Sequence, residues 1–214
     1  TGLEFCEGYG LTETAAPTHS NHPSRPKRQC LGIPICNTDA RIIDTDTLKE
    51  LGPGETGEII CSGPQVFAGY WNKPEATAQA FVDGWFHTGD VAYLDEDGFL
   101  YIVDRIKDII IRGGENISCL EVEAAIYAHP GVHEVAVFGL PDARLGEIVG
   151  AAVVVRSGVE LTADELRADL GKHLASFKIP ARIWFGTEQL PRIASGKIFK
   201  RQIKADYVAE LAAS

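Results

Sequence analysis

The sequence predicts an α+β protein in two parts, a β-rich stretch over residues 29–104 and a smaller region in which helices and strands alternate. Three observations lead there. Before Asp104, short apolar runs are bounded by Asp, Gly, Pro and Thr turns. After it, helical periodicity interleaves with apolar strands, the pattern of helices packed on a sheet. Between the two styles lies a charged pentapeptide, DRIKD (residues 104–108), so the parts are drawn as 1–104 and 105–214.

Each element has a local cause. ARIIDTDTLKEL and GETGEIICSG supply short strands around the turn formers DTDT and GPGE. KPEATAQAFV reads as a short helix with Pro74 in its first turn, where the missing N–H costs nothing. VAYLDEDGFLYIVD has two alternating runs about an Asp-Gly turn, a hairpin signal. CLEVEAAIYAHP is an amphipathic helix stopped by His129-Pro130. HEVAVFGL and EIVGAAVVVR are strands. TADELRADLGKHL is a helix with Thr162 as N-cap and Glu165 three residues on, the spacing of a capping box. ARIWFG is a strand, and RQIKADYVAELAAS closes the chain as a helix.

Composition narrows the function. The 214 residues are 45% hydrophobic and 23% charged, as in an ordinary soluble globular protein. The net charge of −10 argues against sequence-independent binding of nucleic acid. No apolar run reaches the ~18 residues of a membrane span. The opening TGLEFCEGYG has no signal-peptide pattern and no Met, so the chain is expected to be a piece of something longer. The five cysteines (Cys6, Cys30, Cys36, Cys61, Cys119) form no C-x-x-C pair, which suits a reducing cytoplasm better than a disulfide scaffold or zinc site. His19 and His22 sit in a Pro/Ser/Asn-rich loop and make a weak metal pair.

Two phosphate motifs can be tested directly, and both fail. GYGLTE places Glu13 where a dinucleotide fingerprint needs its third glycine. SGKI has Ile198 where a P-loop needs Ser or Thr, and Pro191 stands at its first-glycine position. Four polar clusters remain. In GYGLTET, Tyr9 could stack on a base, the Thr hydroxyls could hold phosphate oxygens and Glu13 could bind Mg²⁺; a capped turn into a helix is the alternative. In GWFHTGD, Asp90 at a strand entrance could accept two ribose hydroxyls, or serve as a turn aspartate. DRIKDIIIRGGENIS carries Gly113-Gly114, suited to positive φ or close ligand approach, or simply to a loop between strand and helix. Finally, between Lys178 and Lys204 seven basic residues (Lys178, Arg182, Arg192, Lys197, Lys200, Arg201, Lys204) face one acid, Glu188. That excess suits a polyanionic small ligand or a solvated face.

All four clusters, in this order and spacing, resemble the ANL superfamily of adenylate-forming enzymes: acyl-CoA synthetases, peptide-synthetase adenylation domains and luciferases. The resemblance covers essentially the whole chain, including GETGEIICSGPQVFAGYWNKPEAT (54–77) and GLPDARLGEIVGAAVVV (139–155). It implies that residues 1–104 end a large AMP-binding domain and that 105–214 form a small mobile domain carrying a catalytic lysine. Tyr9 then matches the aromatic against adenine, with Gly10 beside it. Thr12 matches a phosphate-contacting hydroxyl and Glu13 the carboxylate associated with Mg²⁺. Asp90 and Arg105 match ribose contacts, and Lys107 falls at the Asp-or-Lys hinge about which the small domain rotates. Gly113 and Gly114 match the pantetheine tunnel, and Lys197 the lysine of the adenylation half-reaction.

The resemblance implies ATP (leaving as AMP), Mg²⁺, CoA and a carboxylic acid as ligands, most readily a fatty acid. GGENIS followed by LEVE looks like the CoA-ligase form of the hinge region. One local departure is Ile193-Ala194 where the family commonly has Thr after Pro-Arg, which removes a hydroxyl but not the lysine. The phosphate-gripping loop and most of the acyl pocket are expected to precede residue 1, so the chain alone should be inactive. Alternatives are an acyl-AMP ligase loading a carrier protein and a non-catalytic nucleotide- or CoA-binding module. No nucleic-acid partner is expected, and self-association is left open.

Overall fold

A computed structural model describes residues 5–15, 17–24 and 26–213. The chain divides into two compact units, Thr1–Lys107 and Asp108–Ser214.

The regular structure described in the first unit is mostly antiparallel sheet. Strands β1 (Gly8–Gly10), β2 (Pro17–Ser20) and β3 (Ile33–Pro34) form one small sheet, with a 3₁₀ turn at Thr12–Thr14 between the first two. The capped turn into a helix, the alternative reading of GYGLTET, is thus only this single turn. A second sheet comprises β4 (Asp39–Ile43), β5 (Gly57–Ser62), the short helix α1 (Pro74–Ala80) as a connection, β6 (Phe81–Val82), β7 (Trp85–Leu94) and β8 (Leu100–Arg105). Strand β7 is its spine: β5 runs along one edge, and β6 and β8 share the other. Alternate residues Ile42, Ile59, Cys61, Ala92 and Leu100 are buried together, and Tyr9 and Leu31 pack against them. The VAYLDEDGFLYIVD hairpin forms as expected: Asp95 Oδ1 accepts from the backbone N–H of Asp97 and Phe99, closing the turn.

The second unit opens with β9 (Ile110–Arg112) and β10 (Glu115–Ile117), an antiparallel pair in which Arg112 faces Glu115. The connection is therefore the two residues Gly113-Gly114, at φ +60° and +91°. Two consecutive positive φ values define the tight hairpin turn whose twist matches its strands, and they favour glycine at both places. The expected strand-to-helix loop is a hairpin instead. Helix α2 (Cys119–Tyr127) follows, capped by the Ser118 hydroxyl on Glu121 N.

Strands β11 (Val132–Asp142) and β12 (Gly146–Val155), helix α3 (Ala163–Leu170), strand β13 (Arg182–Gly186) and helix α4 (Lys200–Ala213) complete the unit. β12 is central, antiparallel to β11 and parallel to β13. The capping box of α3 forms as its sequence dictates, Thr162 and Glu165 each satisfying the other's backbone N–H.

The alternation of β11 and β12 sorts two cores. Val135, Val137, Val149, Ala151 and Val153 meet Val122 and Ile126 of α2 and Leu166 and Leu170 of α3. Ala136, Phe138, Leu140 and Ala152 face the other way, against Ile203 and Tyr207 of α4. With both faces covered, these strands read as continuous apolar runs rather than alternating ones. Each fully buried Val or Leu contributes about 1.5–3 kcal/mol. Among the described residues, no helix is long and apolar enough to cross a membrane.

Candidate active site

In the first unit two of the expected site residues, Tyr9 and Arg105, meet Asp90. It lies in the middle of β7 rather than at a strand entrance or in a turn, and is only 5% exposed. A buried carboxylate needs partners, and Asp90 has two. The Tyr9 hydroxyl donates to Oδ2 at 2.6 Å, and Arg105 Nε lies 3.0 Å from Oδ1. Burial and then the Asp90 charge push the Tyr9 phenol well above its usual range, so it stays a donor. Tyr9 arrives on β1 and Arg105 at the end of β8, directly opposite Asp90 in register.

The backbone leading into Asp90 is also held. The Thr88 hydroxyl donates to Ile59 O at 2.7 Å and accepts from Asp90 N at 3.1 Å. Buried Glu58 on β5 accepts from Gly89 N (2.9 Å) through one oxygen and meets His87 Nδ1 (2.8 Å) through the other. These contacts coincide with an irregularity in the β5–β7 register between Glu58 and Ile60.

Gly10 ends β1, and Thr12 and Glu13 occupy the 3₁₀ turn that follows. Thr12 is exposed. Glu13 Oε1 accepts from the Tyr70 hydroxyl at 3.0 Å. The described residues contain no group of three or more His, Cys, Asp or Glu side chains placed to hold a metal. One half-exposed carboxylate fits a Mg²⁺ that takes its other ligands from phosphates and water, as that ion commonly does. Lys107, exposed in the 3₁₀ turn Ile106–Asp108, is the last residue of this unit.

In the second unit, Gly113 and Gly114 are exposed at the β9–β10 turn. Lys197 lies in a short loop closed by a bridge between Arg192 and Ile198. The basic excess around it is largely neutralised within the fold, contrary to the uncompensated patch that the local sequence suggests. Lys178 pairs with Glu121, Arg192 with Glu134, Lys200 with Glu123 and Lys204 with Glu147. Those acids come from α2, β11 and β12, far away in sequence. Lys197 is exposed and has no ion pair among the described residues.

Sequence reasoning missed Glu58, Tyr70 and Thr88, which orient Asp90 and Glu13. Only their position inside GETGEIICSGPQVFAGYW and WFHTGD hinted at a role.

Comparison with known proteins gives three findings. Residues 1–71 match the family model described as AMP-binding enzyme, and residues 121–197 that of the AMP-binding enzyme C-terminal domain, together well over half of the chain. The chain is 47% identical over 204 residues to a long-chain-fatty-acid–CoA ligase of Bacillus subtilis (strain 168), covering 95% of this chain and 36% of the ligase. It is 46% identical over 206 residues to a feruloyl-CoA synthase of Amycolatopsis, covering 95% of this chain and 41% of the synthase. The crystal structure of ATP-bound MatB from Rhodopseudomonas palustris superposes with a TM-score of 0.89 at 40% identity, over 97% of this chain and 41% of that one. The chain thus spans about two fifths of the length of the proteins it matches.

Proposed function

Because this chain belongs to the AMP-binding, adenylate-forming enzymes of the ANL superfamily, we propose that it is part of an ATP-dependent acyl-CoA synthetase. The substrate is a carboxylic acid, a fatty acid in the first instance. The observation that carries this reading is the Tyr9–Asp90–Arg105 constellation: a buried carboxylate with an aromatic ring on one side and a guanidinium on the other. That arrangement suits a nucleoside. Each carboxylate oxygen keeps lone-pair capacity for a ribose hydroxyl beside its present donor, and the Tyr9 ring offers adenine a flat face.

In the first half-reaction a carboxylate oxygen attacks the α-phosphorus of ATP. The new O–P bond replaces the bond to the bridging oxygen, whose electron pair leaves with pyrophosphate. Negative charge grows on the phosphoryl oxygens, and a mobile, unpaired ammonium such as Lys197 stabilises it more than the ground state. Thr12 would donate to a phosphate oxygen. Glu13 would hold Mg²⁺, which when bound neutralises phosphate charge. In the second half-reaction the CoA thiolate attacks the acyl carbonyl and AMP departs. Gly113 and Gly114, lacking side chains, suit the passage of a pantetheine arm. Lys107 would be the pivot between the two steps.

The near-equal identities to a fatty-acid and a feruloyl ligase mean that similarity over this span does not discriminate between those acids. All five cysteines are free thiols, a usage that suits the cytoplasm. The test uses the full-length protein with ATP, Mg²⁺ and CoA, offering palmitate and ferulate in turn and following AMP, acyl-AMP and thioester by mass spectrometry. AMP and acyl-CoA should appear together with one acid preferred. Acyl transfer only to a phosphopantetheinylated carrier, or no carboxylate-dependent AMP at all, would overturn the reading.

A further inference from the structure

The loop that carries Lys197 is held at its base by a pair of charged groups outside the site residues already described. Glu134 lies on β11 just after an irregularity between Val132 and Glu134 in the pairing with β12. It shares parity with Ala136, Phe138 and Leu140, the face covered by α4. Glu134 is only 8% exposed, and both its oxygens are engaged. Oε2 accepts from Leu190 N at 3.0 Å and Oε1 from Arg192 Nη2. Burial alone would raise this carboxyl group's pKa, but the Leu190 hydrogen bond and the Arg192 guanidinium outweigh it and hold it below the usual range.

The other arm of the same guanidinium reaches forward. Arg192 Nη1 donates to Gly196 O at 2.7 Å, the carbonyl of the peptide bond that begins Lys197. Around it, Gly196 N donates to Ile193 O (2.8 Å) and Ile193 N to Lys197 O (3.0 Å). Gly196 sits at φ +83°, which favours glycine there. Downstream, Lys200 and Lys204 are tied to Glu123 and Glu147, so the segment is pinned on both sides of Lys197. A planar fork with donors on two sides can bridge a carboxylate and a carbonyl, whereas the point charge of lysine cannot hold both at this geometry.

We propose that Arg192, seated by Glu134, is a positioning residue for Lys197: it fixes the Gly196 carbonyl and so aims the ammonium. The proposal rests on the adenylation role given to Lys197 above. Arg192 would thus act through the loop backbone. Misplacing a catalytic group by about 1 Å costs up to ~100-fold in rate, and that sets the size of the effect.

The test uses the full-length protein and measures carboxylate-dependent ATP–pyrophosphate exchange alongside thioester formation from supplied acyl-AMP. Arg192→Ala should lower the kcat of exchange about 10- to 100-fold, with the KM for ATP and the thioester step changed less than about twofold. Arg192→Lys should recover only part of the loss. Glu134→Gln, which keeps an acceptor for Leu190 N, should give a smaller loss of the same kind. Added to Arg192→Ala, it should cost nothing further, because the two act as one unit. Losses that multiply in the double variant, or equal loss in both half-reactions, would overturn the positioning role. Lys197→Ala is the control on the underlying reading. If it retains exchange, that reading falls and takes this proposal with it. If it abolishes exchange while the folded Glu134→Gln and Arg192→Lys variants match wild type, only the positioning role fails.

Discussion

Asp90 and Arg105 stand opposite each other on the β7–β8 ladder, with Arg105 Nε 3.0 Å from Asp90 Oδ1, although only the acid is buried. The asymmetry separates what each contributes. Arg105 is 51% exposed, so the pair contributes at most about 1 kcal/mol to the fold after solvent screening. Asp90 is also the acceptor for the part-buried Tyr9 hydroxyl, so its loss removes that buried hydrogen bond, which costs about 1–3 kcal/mol.

Arg105→Ala should therefore leave the unfolding midpoint in urea nearly unchanged while weakening ATP binding about tenfold, the loss of one charge-assisted hydrogen bond. Asp90→Ala should weaken both. Urea titration and nucleotide binding on the same preparations separate the two effects. Equal destabilisation by both variants would show that Arg105 is structural.

Lys197→Ala in the full-length protein should cut acyl-AMP formation by about 10²–10³-fold, the usual cost of removing a group that stabilises transition-state charge. Thioester formation from supplied acyl-AMP should survive largely intact. Single-turnover measurement of each half-reaction decides it, and parallel loss of both speaks against the assignment.

Lys107→Pro fixes φ at the last residue of the first unit. If the turn at Ile106–Asp108 must change conformation between half-reactions, the thioester step should slow more than adenylation. A variant that slows adenylation alone would remove Lys107 from the hinge role.

His19 gives a pH dependence with a definite sign. It is fully buried on β2, its Nδ1 3.0 Å from the Thr18 hydroxyl and its Nε2 without a hydrogen-bond partner among the described residues, and burial lowers its pKa to about 4. The folded state therefore binds the proton less readily than the unfolded chain, whose His titrates near ~6.5. Stability from this group is present above ~6.5 and is lost as pH falls towards about 4. Between pH 7 and 5 the loss should be about 2 kcal/mol. Urea unfolding at the two pH values measures it, and His19→Leu should flatten that part of the slope. A slope unchanged in His19→Leu would assign it to other groups.

Local chemistry was legible where one stretch contains its own cause. Thr162 and Glu165 announce the start of α3, and the apolar runs of β11 and β12 announce buried strands. The Gly113-Gly114 hairpin was legible in principle, because a Gly-Gly pair after an apolar β-branched run is a turn signal, but the stretch that follows is short and polar and does not announce a second strand. The site itself was named by motif resemblance and not by pattern. Tyr9 and Asp90 meet across 81 residues, and nothing local marks either as the other's partner. The basic run near Lys197 misled for the same reason: the carboxylates that neutralise most of it come from α2, β11 and β12. Charge counted along a sequence window takes no account of acids brought in by folding.

The two-sided burial of β11 and β12 carries a liability. VAVFGL and VGAAVVV are uncharged, β-prone and free of proline, the composition that assembles into cross-β fibrils when exposed. In the folded unit α2 and α3 shield one face, α4 shields the other, and Glu123 occupies the outer margin of β11 by accepting from Val137 N at 2.8 Å. Helix α4 emerges after β11 and β12 during synthesis. Until it docks, and again whenever protease clips it away, the Ala136–Phe138–Leu140 surface is bare and sticky. Helix α4 is thus a molecular dust cover, and premature termination before Lys200 should send the protein into inclusion bodies rather than leave it merely inactive.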